Sequence, residues 1–101
     1  MRGYDDFMNG MSSDVQDLFG LLREYCLSLG DNVVEDVRAH RVVFAKSFSF
    51  RWFLDAMPTD TQIQIKIKRS RKEPTIDLEI ESLEDLQNAK PLIGDAFLSL
   101  R

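Results

Sequence analysis

The sequence predicts an α+β fold: an N-terminal helix, an antiparallel meander of four to five strands and a C-terminal helix, stacked as a two-layer sandwich. Three observations carry this reading. Apolar residues recur at spacings of three and four from Val15 to Leu29, and again from Leu83 to Leu100. Between them the chain alternates apolar and polar residues, most cleanly at Ile63-Gln64-Ile65-Lys66-Ile67 and Ile76-Asp77-Leu78-Glu79-Ile80. Each alternating strand offers one apolar face, and each helix offers a stripe to cover it. At 101 residues there is room for one core, so residues 1–101 read as a single domain.

The elements follow in order. Residues 1–11 carry little pattern. Tyr4, Phe7, Met8 and Met11 read either as a helical turn tucked onto the body or as a flexible segment. The first helix spans Ser13 to Leu29. Ser13 serves as its cap and Gln16 reaches back in a capping box, while Asp14 and Asp17 favour the positive end of the helix dipole. Val15, Leu18, Leu22, Tyr25, Cys26 and Leu29 make its stripe, and Gly30 stops it. Strands are expected at Val33–Val37, Arg41–Lys46 and Ser47–Met57. In the last of these Phe48, Phe50, Trp52 and Leu54 share the core face, Ser47, Ser49, Arg51 and Asp55 share the polar face, and Phe53 falls among the polar residues. Pro58-Thr59-Asp60 is a turn. Thr61–Lys68 and Thr75–Glu81 form a hairpin with one apolar and one charged face. Ser82 caps the second helix, whose stripe is Leu83, Leu86, Ala89, Ile93, Phe97 and Leu100. Pro91 is expected to kink or split it.

Composition excludes several classes. No apolar run approaches 18 residues, so no membrane-spanning helix is expected. The start, Met1-Arg2-Gly3-Tyr4-Asp5-Asp6, lacks the apolar region of a secretion signal. Cys26 is the sole cysteine, so no internal disulfide can form, and a reducing cytoplasm fits. The net charge of −4 hides a sorted distribution. Nine of the thirteen Lys and Arg residues lie between Arg38 and Lys72, flanked by acidic segments on both sides. A basic patch on an acidic protein can attract a partner of opposite sign.

The chain resembles a small prokaryotic family of domains of unknown function, found alone and at the C-terminus of longer proteins labelled "predicted transport protein". The matching residues are Leu21-Leu22-Arg23-Glu24-Tyr25-Cys26-Leu27-Ser28-Leu29-Gly30, Val42-Val43-Phe44-Ala45-Lys46 with Phe48, Ser82-Leu83-Glu84-Asp85-Leu86 and Leu92-Ile93-Gly94-Asp95-Ala96-Phe97. Family members usually carry a Lys and a Tyr just before the strand's Phe, where this chain has His40-Arg41-Val42-Val43. The resemblance implies the fold and no established activity. Some longer relatives resemble nuclease-associated proteins, which implies a link to nucleic acid.

The candidate functional residues are therefore few. Arg38, Arg41, Lys46, Arg51, Arg69, Arg71 and Lys72 form a candidate polyanion-binding set, with Trp52 or Phe53 available to stack on a base. The competing reading is structural. Lys66 and Lys68 lie across the hairpin from Asp77, Glu79 or Glu81, where opposite charges stabilise a sheet by about 0.2–1 kcal/mol per pair. Trp52 and Phe53 are the candidate interface residues, and Phe53 beside Arg51 suits a homodimer contact. Cys26 falls on an apolar stripe, which makes it a core cysteine rather than a nucleophile, and His40 with Cys26 is too few for a zinc site. Asp77, Glu79 and Glu81 alternate on one strand face and read as ion-pair partners more simply than as a cation site. No catalytic, cofactor or metal-ligating motif is present. The expected job is a non-enzymatic binding or accessory domain meeting nucleic acid or an acidic protein. The alternatives are a homodimeric structural subunit and an enzyme whose site lies between protomers.

Overall fold

A computed structural model describes residues 8, 11–47, 51–70 and 72–99. The order is α1 (Ser13–Ser28), β1 (Val33–Val37), β2 (Val42–Lys46), β3 (Arg51–Pro58), β4 (Ile63–Ile67), β5 (Ile76–Ile80) and α2 (Leu83–Ser99). All five strands form one antiparallel sheet in sequence order, β1-β2-β3-β4-β5. The expected two-layer α+β sandwich is what forms. No helix among the described residues is long and apolar enough to cross a membrane.

α1 buries Val15, Phe19, Leu22 and Cys26. Phe19 completes a stripe that the sequence reading left one residue short. The cap is Ser12 rather than Ser13: its Oγ accepts from Val15 N at 3.3 Å and donates to the Asp60 carbonyl at 3.3 Å. Gln16 does not close a capping box but donates to the Met8 and Met11 carbonyls. These bonds fasten the start of α1 and the segment before it, and Met8 and Met11 pack on the core. Tyr4 and Phe7 lie outside the described residues.

α2 runs unbroken through Pro91, so the expected split does not occur. Ser82 Oγ accepts from Asp85 N, and Asp85 in turn accepts from Glu81 N. Leu86, Ala89, Ile93, Ala96 and Phe97 are buried, whereas Leu83 is 54% exposed, because the first turn overhangs the core. Leu100 lies outside the described residues. The helices meet where Tyr25 Oη donates to the Lys90 carbonyl at 2.8 Å. Arg23 of α1 also clasps Glu35 of β1 through two guanidinium nitrogens.

The strand register fixes which side chains the helices cover. Ile63, Ile65 and Ile67 are all buried. They pair with Pro58, Ala56 and Leu54 on one side, and with Ile80, Leu78 and Ile76 on the other. Val42 and Phe44 continue this inner face. The outer face carries Gln64 and Lys66 of β4, Asp77 and Glu79 of β5, and Asp55 of β3.

One irregularity redirects β3. Phe44 pairs with Leu54, but the next residue, Ala45, pairs with Trp52. Phe53 is thus the extra residue of a β-bulge, and a bulge re-aims side chains. Leu54 stays on the inner face, Trp52 moves to the outer face, and Phe53 joins the core with no exposure. Its ring meets Phe97 edge-on, centroids 5.3 Å apart at 79°. The reading of Trp52 as core and Phe53 as an exposed interface residue is corrected: strict period 2 does not survive the extra residue. Phe48 and Phe50 lie outside the described residues.

Candidate functional site

The meander places its connections at two ends. The β1–β2 and β3–β4 turns share one end, here the turn end. The β2–β3 and β4–β5 connections share the other, the loop end. The basic middle of the sequence is divided between them.

Arg38 and Arg41 flank the β1–β2 turn, closed by Arg38 N donating to the Arg41 carbonyl at 2.8 Å. Each is matched with an acid. Arg38 Nε lies 3.0 Å from Asp36 Oδ2, and Arg41 Nη1 lies 3.0 Å from Asp55 Oδ2. Asp55 is half-buried on the sheet, so Arg41 serves that carboxylate first. These two arginines are not brought to the rest of the expected set.

The loop end gathers Lys46, Arg51, Arg69 and Lys72. Arg71 lies outside the described residues. Lys46 Nζ sits 4.5 Å from the centre of the Phe97 ring. Arg69 reaches α2, with Nε 3.0 Å from Asp95 Oδ2, and also approaches Glu73 at 3.7 Å. Nε is buried without an aligned hydrogen bond, so the attraction to Asp95 is chiefly coulombic. The contact ties the β4–β5 loop to the C-terminal half of α2. Ser70 Oγ accepts from the backbone amides of Lys72 and Glu73, which turns the loop and leaves Lys72 exposed.

Lys68 belongs to this group, although strand alternation alone places it across the hairpin from the acids of β5. The β4–β5 ladder pairs Lys66 with Asp77 and Gln64 with Glu79, and it ends at Ile67 with Ile76. Lys68 therefore lies beyond the ladder. Its amide bonds the Phe53 carbonyl at 3.1 Å, and its ammonium rides 5.2 Å from the centre of the Trp52 ring. The signal for this was present in the adjacent apolar pair Phe53-Leu54, which a regular half-buried strand would not place side by side.

On the outer face, farther from the loops, a depression of about 630 Å³ is lined by Arg41, Asp55, Met57, Lys66, Asp77 and Glu79, among others. Arg41 and Asp55 offset one another. Lys66 lies in register between Asp55 and Asp77. The depression therefore carries mixed charge, with the carboxylates of β5 along one flank.

The remaining candidates fall to structural roles. Cys26 is fully buried, and desolvation, then the nearby Glu35 charge, push its thiol well above the ordinary range. A thiol so disposed is a poor nucleophile. His40 stands exposed on the β1–β2 turn. Tyr25 is raised by burial and then by Cys26, in keeping with its place between the helices. Among the described residues no group of three or more His, Cys, Asp or Glu is placed to hold a metal ion.

The chain belongs to a family described as a domain of unknown function (DUF5655), whose family model matches residues 4–97. No curated protein and no solved structure matches it.

Proposed function

We propose that the chain is a non-enzymatic, cytoplasmic binding domain that grips a phosphate polyanion at the loop end of its sheet. The observation that carries this is the convergence of Lys46, Arg51, Lys68, Arg69 and Lys72 at one end, beside a partly buried Trp52. The reading differs from the sequence expectation in its members. Arg38 and Arg41 leave the set, because they sit at the turn end against Asp36 and Asp55. Lys68 enters it. The homodimer expectation loses its chief residue with the burial of Phe53, so binding to a polyanion is favoured over self-association. Among the described residues the two groups with displaced pKa values, Tyr25 and Cys26, lie in or against the core rather than in a cleft, which favours binding over acid–base chemistry.

The test is fluorescence anisotropy of labelled single-stranded DNA, duplex DNA and RNA with the intact chain across a salt series. Micromolar binding that weakens with salt is expected. Lys68→Glu and Lys72→Glu should each reduce it about tenfold, whereas Arg38→Glu at the opposite end should leave it within about twofold. Absence of binding at low salt overturns the proposal. Binding of polyglutamate in place of oligonucleotides would make the partner an acidic protein.

A further inference from the structure

We propose that the polyanion is a single strand of nucleic acid, one base of which stacks on Trp52. This rests on the polyanion reading above and narrows it to a substrate class.

The bulge at Phe53 is the structural cause. It puts the indole on the face opposite Leu54 and the helices. There its direct cross-strand neighbour is Ala45, and beyond Ala45 lies Val34. Both are short, so among the described residues Trp52 is the one large flat side chain at this corner of the open sheet. The residue that approaches the ring is Lys68, a partly buried side chain with a long flexible stem. At 5.2 Å from the ring centre, an ammonium on a flexible stem holds the indole less firmly than a stacked base does. A base can therefore replace Lys68 on the indole. The displaced ammonium then lies beside the phosphate of the nucleotide that displaced it.

The surrounding charge sets the path. Arg51 precedes Trp52 in β3, and Arg69 and Lys72 follow Lys68 in the loop. Asp77 and Glu79 disfavour phosphate along β5, and toward the turn end Asp36 and Asp55 offset the cations Arg38 and Arg41. A backbone laid along the loop end meets cations and presents its bases to Trp52. Duplex bases are already stacked on one another and offer a flat protein ring no free face, whereas unpaired bases can splay onto an open sheet.

Trp52 is the only tryptophan in the chain, so its emission reports the contact directly. The intact protein is titrated with unlabelled oligodeoxyuridylate, oligouridylate and a hairpin duplex of equal charge. Single strands should quench the emission with the same Kd that anisotropy gives. Equal quenching by both oligomers would mean that the sugar is not read, and preference for one would assign DNA or RNA, either result upholding the stack. Trp52→Ala should lose about tenfold in single-strand affinity and leave duplex affinity unchanged, while Trp52→Phe, which keeps a ring, should lose less. Single strands that bind without altering the emission overturn this inference, as does a duplex that binds equally well or a Trp52→Ala protein that binds as the parent does. Each of those results leaves the polyanion reading standing. Failure of every nucleic acid to bind at low salt overturns both.

Discussion

Phe53→Ala removes a ring with no solvent exposure and breaks its edge-on contact with Phe97 at 5.3 Å. Truncating a buried Phe to Ala costs about 3–5 kcal/mol, because the lost transfer energy is compounded by the cavity left behind. The aromatic pair places this site toward the upper part of that range. A domain of this size has about 5–15 kcal/mol of stability in all. At about 4–8 °C per kcal/mol, the midpoint of thermal unfolding should fall by roughly 15–40 °C. Trp52→Ala, one residue earlier, removes a larger ring but from the open face. There the chief loss is the Lys68 ammonium contact and partial burial, together about 1–1.5 kcal/mol. Urea unfolding followed by far-ultraviolet circular dichroism measures both, since tryptophan emission is lost in one variant. Phe53→Leu, which keeps most of the apolar volume, gives a milder loss of about 1–2 kcal/mol should Phe53→Ala prove too unstable to handle. If Trp52→Ala costs as much as Phe53→Ala, or more, the bulge is not where the register puts it and the open-face site built on Trp52 falls with it.

Two further outcomes probe the helices. The Cys26 thiol is neutral when protonated, and its folded pKa is raised above the ordinary 9.0. Its stabilising contribution is thus full below pH 9 and declines as pH climbs beyond it, by about 1.4 kcal/mol per pH unit while the unfolded thiol alone is ionised. Tyr25, raised from 10.0, adds to the decline above pH 10. Cys26→Ala should flatten the first part of this fall in urea melts between pH 8 and 10, and an unchanged slope would contradict the burial. At Gly94 an added Cβ would stand 2.8 Å from Tyr25 Oη, the atom that donates to Lys90. Gly94→Ala should cost about 1–2 kcal/mol in thermal melts despite its better helix propensity. In a Tyr25→Phe background the same change should be neutral or stabilising by up to about 1 kcal/mol. Additive effects would mean the two helices give way elsewhere.

Most of the fold was legible because its signals are local and redundant. The isoleucines of β4 alternate without a break, their partners in β5 do the same, and the register then pairs the two strands residue for residue. The failures have definable physical causes. Ser12 and Ser13 are adjacent and equally suited to capping, and the choice falls to Ser12, whose hydroxyl also reaches Asp60 across the fold. That contact is separated by 48 residues and leaves no trace in local spacing. Leu83 sits at the right helical position but beyond the sheet it should cover. The site suffered more, because it depends on β3. One extra residue at Phe53 exchanges the faces of Trp52 and Phe53, and with them core for surface. The end of the β4–β5 ladder at Ile67 likewise decided whether Lys68 faced an acid or a tryptophan.

The same geometry limits how strongly the domain can hold a strand. A count of the basic middle would promise many phosphate contacts, yet the fold assigns Arg38 to Asp36, Arg41 to Asp55, and Arg69 to Asp95 and Glu73. Lys66 is flanked by acids in its ladders. Among the described residues Lys68 and Lys72 reach phosphate at least cost, and Arg51 and Arg69 do so only by sharing themselves. Two to four contacts to a single strand correspond to a slope of about −1.4 to −2.8 in log affinity against log salt. That is a shallow dependence, and it places most of the selectivity on the one stacked base rather than on charge. A slope near −6 would mean that the arginines abandon their carboxylates on binding. The α2–loop contact at Asp95 would then have to open, and Asp95→Asn should tighten binding instead of leaving it unchanged.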